Sequence, residues 1–392
     1  MIMTFRELLK FYKNGELPNE QKEYVESEIE KHEAISEYLY DDAELPALEN
    51  SAPSEKNEKQ EDHFTKLIQG TIRRAFVKMG VSVGVVVLAA VMAVMFVLPD
   101  FVSAFYYDPN EIVGGSANNA QTKKMEVDLS VFTELFLPST YRNYVIADDE
   151  GYGNYHIMIP ELAAYDGRFI TVSGKLEKGK LTLYDPNLID YPTSNAFVRP
   201  ADALGDQQIV GAAGTAEKAF EKLETLSDTD YYVAYFSLRE LMDYESFYEV
   251  FRGKSHWCAV HLGDMTRPTL GMSMGFSSPR MNWDRETYPN LCLLDAESDL
   301  SPYQIARDAE AMQTHFRSML SYMNDHPEVL ELFDSDKMPY QSAWTFPWED
   351  LIRYVDENGI NIYGFTVTAK KDKILEIAKN DMISYVYTKP FR

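Results

Sequence analysis

The chain has 392 residues, enough at roughly 100–200 per domain for two or three folded units. Its composition, 45% hydrophobic, 13% aromatic and 25% charged, excludes disorder throughout. The 37 Lys plus Arg against 62 Asp plus Glu leave a formal charge of −25, which argues against nucleic acid as a partner and against an enzyme gripping anionic substrates over a wide face.

From the amino end, Phe5, Leu8, Leu9 and Tyr12 recur at i, i+3, i+4 and i+7, which predicts an amphipathic helix over 4–13. Asn14-Gly15 ends it, because both residues tolerate the left-handed backbone needed after a last turn. Leu17-Pro18-Asn19 starts a second helix, with Asn19 as cap and Glu20 well placed in the first turn. Val25, Ile29, His32, Ile35 and Leu39 line one face of it, and Glu23, Glu26, Glu30 and Glu33 fall largely on the other. Two short helices cannot bury Tyr12, Tyr24, Tyr38 and Tyr40 as well. Surplus apolar surface rimmed by carboxylates suits a basic, helical partner. The alternative is a helical hairpin packed on itself with its acidic face solvated.

Residues 46–62, PALENSAPSEKNEKQED, lack periodicity and are expected to be a flexible linker. Phe64, Leu67, Ile68, Ile72, Ala75 and Phe76 then form an apolar stripe on a juxtamembrane helix over 63–78, whose cations favour an anionic inner leaflet. Between Lys78 and Asp100 lie 21 residues without a charge, MGVSVGVVVLAAVMAVMFVLP. About 20 apolar residues cross a hydrocarbon core of about 30 Å, so 79–99 is predicted to span a membrane. Lys66, Arg73, Arg74 and Lys78 precede this run, whereas Asp100 to Gln121 carries no Lys or Arg. The cation excess predicts a cytoplasmic N-terminus and an extracytoplasmic C-terminus. A secretory signal is disfavoured by the long preceding segment and the long apolar run, and Val102-Ser103-Ala104 resembles a cleavage site by coincidence. Within the span, Gly80-x-x-x-Gly84 and Ala89-x-x-x-Ala93 are candidate surfaces for self-association.

Beyond the span, Val127 to Leu137 begins an ordered region. Residues 144–147 and 155–159 form a candidate strand pair, and 171–176 with 180–184 form a hairpin around Glu177-Lys178-Gly179. The Gly/Ala-containing stretch 203–215 marks a subdomain boundary. A helix over 216–224, a strand over 231–238, a helix over about 239–252, strands near 257–262 and 270–276, and a long helix from Pro302 to about Asn324 follow. In that last helix Ile305, Ala309, Met312, Phe316, Met319 and Met323 keep helical spacing, a core stripe rather than a cofactor box.

Several chemical signatures have a packing explanation beside the chemical one. Gly271-Met272-Ser273-Met274-Gly275 matches G-x-S-x-G, with Asp295, Asp299, His315 and His326 downstream in the order used by α/β-hydrolases. That motif needs a strand, a sharp turn at Ser and an immediate helix, whereas Leu270, Met272, Met274 and Phe276 alternate as in an uninterrupted strand. Two cysteines are too few for a disulfide scaffold or a four-thiolate zinc site. Cys258 and Cys292, both outside the membrane in this topology, are a candidate disulfide or two buried thiols. The seven His show no ligand spacing, and no cofactor or metal is expected.

Two stretches carry a family resemblance. The run Phe5-Arg6-Glu7-Leu8-Leu9-Lys10-Phe11-Tyr12-Lys13-Asn14-Gly15-Glu16-Leu17-Pro18 resembles the start of membrane-anchored anti-sigma factors: a helix, a Gly-Glu-Leu turn, then a long acidic helix. Zinc-binding members carry H-x3-C-x2-C in the second helix. Those positions fall here on Glu28, His32 and Ile35, and Ile35 cannot bind a metal, so the resemblance is to a zinc-less variant. At the other end, Tyr354-Val355-Asp356-Glu357-Asn358-Gly359-Ile360-Asn361-Ile362-Tyr363-Gly364-Phe365-Thr366-Val367-Thr368, followed by Leu375, resembles the extracytoplasmic domain of the sigma-factor-regulator family. So does Tyr232-Val233-Ala234-Tyr235-Phe236-Ser237-Leu238.

The resulting expectation is a multidomain membrane protein: all-α cytoplasmic helices (1–45), the linker, the juxtamembrane and transmembrane helices, a β-rich subdomain (100–205) and an α+β domain (206–392) outside. The resemblance implies a non-enzymatic anti-sigma factor that holds an extracytoplasmic-function sigma factor at the membrane. Apolar contacts would come from Phe5, Leu8, Leu9, Tyr12, Tyr24, Val25, Ile29, Ile35, Tyr38 and Leu39. Glu16, Glu20, Glu23 and Glu30 would meet basic residues and speed encounter. Release would follow an extracytoplasmic signal, by a site-specific protease or a conformational shift. The rival expectation is an extracytoplasmic enzyme or cell-wall-binding protein anchored by one helix.

Overall fold

A computed structural model describes residues 11–12, 18, 21–31, 58–115, 121–138, 141–142, 144–162, 169–184, 196–200, 216–263, 269–274, 280–295, 297, 299–332 and 346–391. Residues 1–84 and 85–392 form separate compact units.

In the first unit, residues 11–12 and 21–31 are helical. The Tyr12 hydroxyl donates to Glu26 Oε1 at 2.9 Å and so ties the two stretches together. A single 39-residue helix runs over Glu58–Phe96. It begins inside the segment expected to be a flexible linker, so the juxtamembrane stripe and the apolar run share one helix. Over Arg73–Phe96 this helix is long and apolar enough to cross a membrane. Its end is set by Pro99: proline has no N–H to continue the ladder but fits the first turn of a new helix. The short helix Leu98–Ser103 starts there.

Beyond it, a two-stranded ribbon (β1, Ile112–Gly114; β2, Thr122–Lys123) leads into the helix Lys124–Phe136. A first sheet contains β3 (Tyr141–Arg142), β4 (Ile146–Gly151), β5 (Asn154–Leu162), β6 (Phe169–Glu177) and β7 (Lys180–Leu183), in the order β3-β5-β6-β7 with β4 also paired to β5. Its β6–β7 turn places Lys178 and Gly179 at φ 52° and 82°. Positive φ at both central residues suits the twist of a two-residue hairpin, and Gly179 meets it without strain.

The second sheet is antiparallel, ordered β10-β9-β11-β8-β12. Its strands are β8 (Tyr231–Asp243), β9 (Trp257–Val260), β10 (Gly271–Ser273), β11 (Asn361–Lys370) and β12 (Ile383–Pro390). Both faces of its centre are covered, and the period-2 alternation of strand side chains sorts the residues. Tyr232, Ala234, Phe236 and Leu238 join the large core, while Val233 and Tyr235 join a smaller aromatic cluster on the other face with Phe197, Trp257 and Tyr363. Phe197 lies against Gly364, where an added Cβ would come within 2.5 Å of its ring. The large core is continuous: Met125, Leu135, Ile157 and Leu176 belong to the same cluster as Phe236, Phe316 and Phe365. Each such buried side chain contributes about 1.5–3 kcal/mol relative to an exposed one. Helices Ala216–Glu224 and Lys371–Ala378 and the helices Tyr244–Phe251, Ala309–Asp325 and Trp348–Asn358 complete an α+β region.

Two further elements differ from expectation. The strand expected over 231–238 continues to Asp243, and the following helix begins only at Tyr244. Residues Met242 and Asp243 find ladder partners in Ile362 and Asn361, and Asp243 then caps the helix by accepting from Ser246 N. The helix expected from Pro302 to about Asn324 is broken into Pro302–Ile305 and Ala309–Asp325. Asp308 causes the break: its carboxylate accepts from the backbone N–H groups of Glu310 and Ala311 and starts a new helix. The Met312, Phe316, Met319 and Met323 stripe is fully buried, as its spacing requires. The expected boundary stretch 203–215 lies outside the described residues.

Candidate functional site

Of the partner-binding residues expected near the N-terminus, Tyr12, Glu23, Tyr24, Val25, Ile29 and Glu30 are described; Phe5, Leu8, Leu9, Glu16, Glu20, Ile35, Tyr38 and Leu39 lie outside the described residues. Tyr24 is 54% exposed, and Glu23 and Glu30 are exposed as well. Ile29 is half-buried. Val25 is fully buried within the chain itself and offers no free surface. The exposed part of this face, among the described residues, is therefore Tyr24 with Glu23 and Glu30.

A second constellation sits where the chain leaves the long apolar helix. The tip of the β4–β5 hairpin, Gly151-Tyr152-Gly153, lies along this exit. The Tyr152 hydroxyl donates to Val94 O at 2.8 Å, and Gly153 N donates to Ser103 Oγ at 2.8 Å. Further along, Asn110 Nδ2 donates to Ala147 O at 3.0 Å, and Lys124 N donates to Glu111 O at 2.7 Å.

The deepest anchor of this exit is Asp128, fully buried on the helix Lys124–Phe136. It accepts from the Tyr107 hydroxyl and, at 2.6 Å, from the Tyr322 hydroxyl. The contacts close into a ring. The His326 imidazole stacks on Tyr322 with centroids 4.2 Å apart and contacts Glu328 at 3.2 Å. Glu328 pairs with Lys124 at 3.1 Å, and the Lys124 ammonium lies 5.2 Å from the centre of the Tyr107 ring. Burial raises the Asp128 carboxyl above its ordinary range, opposed by the two phenols and Lys124. Burial, and then the neighbouring carboxylate, push Tyr107 and Tyr322 well above the phenol range, so both stay protonated as donors. At Glu328 burial acts upward, but hydrogen bonds from its own backbone, His326 and Lys124 together outweigh it, and the carboxyl is held below its usual range. This ring ties the exit segment to the helices 124–136, 309–325 and Glu328–Leu332.

A third buried group concerns the G-x-S-x-G match. Ser273 is the last residue of β10, and its backbone N–H donates to Glu134 Oε1 at 3.0 Å. The His315 imidazole contacts the same Glu134 oxygen through Nε2 at 2.9 Å and the carbonyl of Asn290 through Nδ1 at 2.7 Å. A carbonyl only accepts, so Nδ1 carries a proton, and both ring nitrogens are engaged. His315 is 0% exposed. Gly271 is explained by packing: a Cβ there would meet Cys258 O at 2.1 Å and the Trp257 ring at 2.2 Å. The arrangement joins the helix Lys124–Phe136 to β10 and to the helix Ala309–Asp325.

Cys258 and Cys292 are buried thiols and form no disulfide. Cys258 Sγ contacts Met272 O at 3.6 Å, and burial pushes this thiol well above its ordinary range. Among the described residues no group of three or more His, Cys, Asp or Glu is arranged to hold a metal ion.

The Tyr107–Asp128–Tyr322 ring carried no signal in periodicity or spacing. The Gly-Tyr-Gly tip was legible as a turn, but its partner on the apolar helix, 58 residues away, was not.

No curated protein and no solved structure matches the chain. Residues 223–387, which include the whole of β8, β9, β10 and β11, match the family described as sigma factor regulator C-terminal. Over these residues the chain is similar to the C-terminal region of sigma factor regulators.

Proposed function

We propose that the chain is a single-pass anti-sigma factor. The N-terminal helices lie in the cytoplasm and hold an extracytoplasmic-function sigma factor at the membrane; the region after the apolar helix lies outside and receives the signal. The observation that carries this reading is the sigma factor regulator match over 223–387, separated by one helix long and apolar enough to cross a membrane from an acidic, aromatic N-terminal segment.

Tyr24 supplies an exposed anchor, and the exposed carboxylates of Glu23 and Glu30 on the same helix steer basic surfaces of the partner. Signal passage uses the ring around Asp128, because that ring connects the outer domain to the residues that leave the membrane. A conformational shift that withdraws Tyr107 frees the exit segment, either to move or to meet a site-specific protease.

The test is repression of the sigma regulon by full-length variants. Tyr24→Glu and Leu9→Glu each place a carboxylate on the docking face. Loss of an interfacial anchor costs about 2 kcal/mol, roughly thirtyfold in affinity. Derepression with unchanged membrane insertion supports the reading, and normal repression by both variants contradicts it.

A further inference from the structure

The chain just after the apolar helix exposes large hydrophobic groups that its own fold does not cover. Phe101 and Phe105 are 61% and 71% exposed and touch edge to face at 5.3 Å between centroids. Val97 and Leu98 are exposed beside them. In water such a cluster is costly, and exposed patches of this kind mark an interaction surface.

What covers it follows from its place. Tyr152 donates to Val94 O, and Val94 lies five residues inside the end of the uncharged run at Pro99. At about 1.5 Å per residue that is about 7 Å below the end of the run. The β4–β5 tip therefore reaches the level of the apolar helix itself. Gly151 stands against Pro99, with an added Cβ 3.3 Å from the Pro99 Cβ, and Gly153 stands against the Tyr106 ring. The β6–β7 turn joins the same end, since Lys178 N donates to Gly153 O at 2.9 Å. Lys178 and Lys180 on that turn are exposed. Of the nearby carboxylates, Glu150 pairs with Lys175 at 3.4 Å and Asp149 accepts from Gly151 N at 2.7 Å; Asp100 and Glu177 are exposed.

Aromatic rings with a polar tip favour the membrane–water interface, and lysines there extend their ammonium groups toward lipid phosphates. We propose that this end of the domain is a lipid-facing seat in the outer leaflet. Tyr152 occupies the interfacial layer, the wholly apolar rings of Phe101 and Phe105 enter the adjoining edge of the hydrocarbon, and Lys178 and Lys180 meet headgroup phosphates. The seat rests on the topology proposed above. It holds the β4–β5 tip against the bilayer, so that displacement of the outer domain pulls directly on the membrane exit.

The experiment uses full-length protein carrying one added cysteine, Phe105→Cys at the seat or Glu357→Cys on the exposed side of the helix Trp348–Asn358. Both native cysteines are buried, which makes the added thiol selective. In phosphatidylglycerol–phosphatidylethanolamine vesicles, an environment-sensitive fluorophore at position 105 is expected to be quenched by lipids spin-labelled near the headgroup. The same fluorophore at 357 is expected to be quenched far less. In intact cells an impermeant thiol reagent is expected to modify Glu357→Cys several-fold faster than Phe105→Cys. Equal quenching at both positions overturns the seat. So does protection of position 105 without lipid quenching, which means that protein, such as a second copy of the chain, covers it. An unreactive Glu357→Cys in intact cells contradicts the topology, and with it the outer leaflet, independently of the vesicle result.

Discussion

The Tyr107 phenol, which follows the apolar helix by eleven residues, donates to the fully buried carboxylate of Asp128. Asp128 has a second donor in Tyr322, on a helix 194 residues further along the chain. The carboxylate is thus a joint between the segment that leaves the apolar helix and the core that packs around the helix Ala309–Asp325. Leaving a buried acceptor short of a donor costs about 1–3 kcal/mol.

Tyr107→Phe keeps the ring and its packing but removes that donor. The expected result is a loss of stability of about 1–3 kcal/mol in denaturant unfolding, with faster limited proteolysis between residues 97 and 121. Unchanged proteolysis there would show that the hydroxyl does not hold the exit.

Acid sensitivity has a specific source in His256. Burial lowers its pKa from 6.5 to about 4, and its Nδ1 accepts from Thr368 N at 3.2 Å, a bond that protonation at Nδ1 would remove. The unfolded chain therefore binds this proton first as pH falls. Stability from this group is complete above about pH 6.5 and is lost between about 6.5 and 4, by about 3 kcal/mol at most. His256→Asn supplies an acceptor without a titrating ring. Urea midpoints measured across this window are expected to fall less steeply for the variant than for the native chain, and parallel slopes would contradict the assignment.

Gly271 tests the packing account of the G-x-S-x-G match. Because a Cβ there would collide with the carbonyl of Cys258 in the neighbouring strand, Gly271→Ala forces β9 and β10 apart. The expected cost is ~3 kcal/mol, the upper range of overpacking penalties. A thermally unchanged Gly271→Ala variant would show that the strand pair has room.

Much of this architecture was legible in the sequence because the signals are local. The uncharged run before Asp100, the Lys178-Gly179 turn, the 216–224 helix and the Met312 to Met323 stripe each follow from a period or a backbone preference. The break at Asp308 was hidden because Ile305, Ala309 and Met312 keep helical spacing across it, so the capping aspartate inside the stripe decided the outcome. The extension of β8 to Asp243 depended on a partner more than a hundred residues away, at Asn361. The ring around Asp128 joins residues 21 and 194 positions apart, and nothing in local spacing records such a meeting. In the N-terminal helix, spacing identified Val25 as apolar but not as fully buried, whereas Tyr24 beside it is exposed.

The central claim is that the N-terminal segment holds a sigma factor. The most direct measurement is co-purification of the full-length chain, solubilised from its own membrane, with each of the cell's extracytoplasmic-function sigma factors. The account predicts stoichiometric recovery of one of them with the native chain and strongly reduced recovery with Tyr24→Glu. Recovery of none, from membranes in which the chain is inserted and folded, would contradict it.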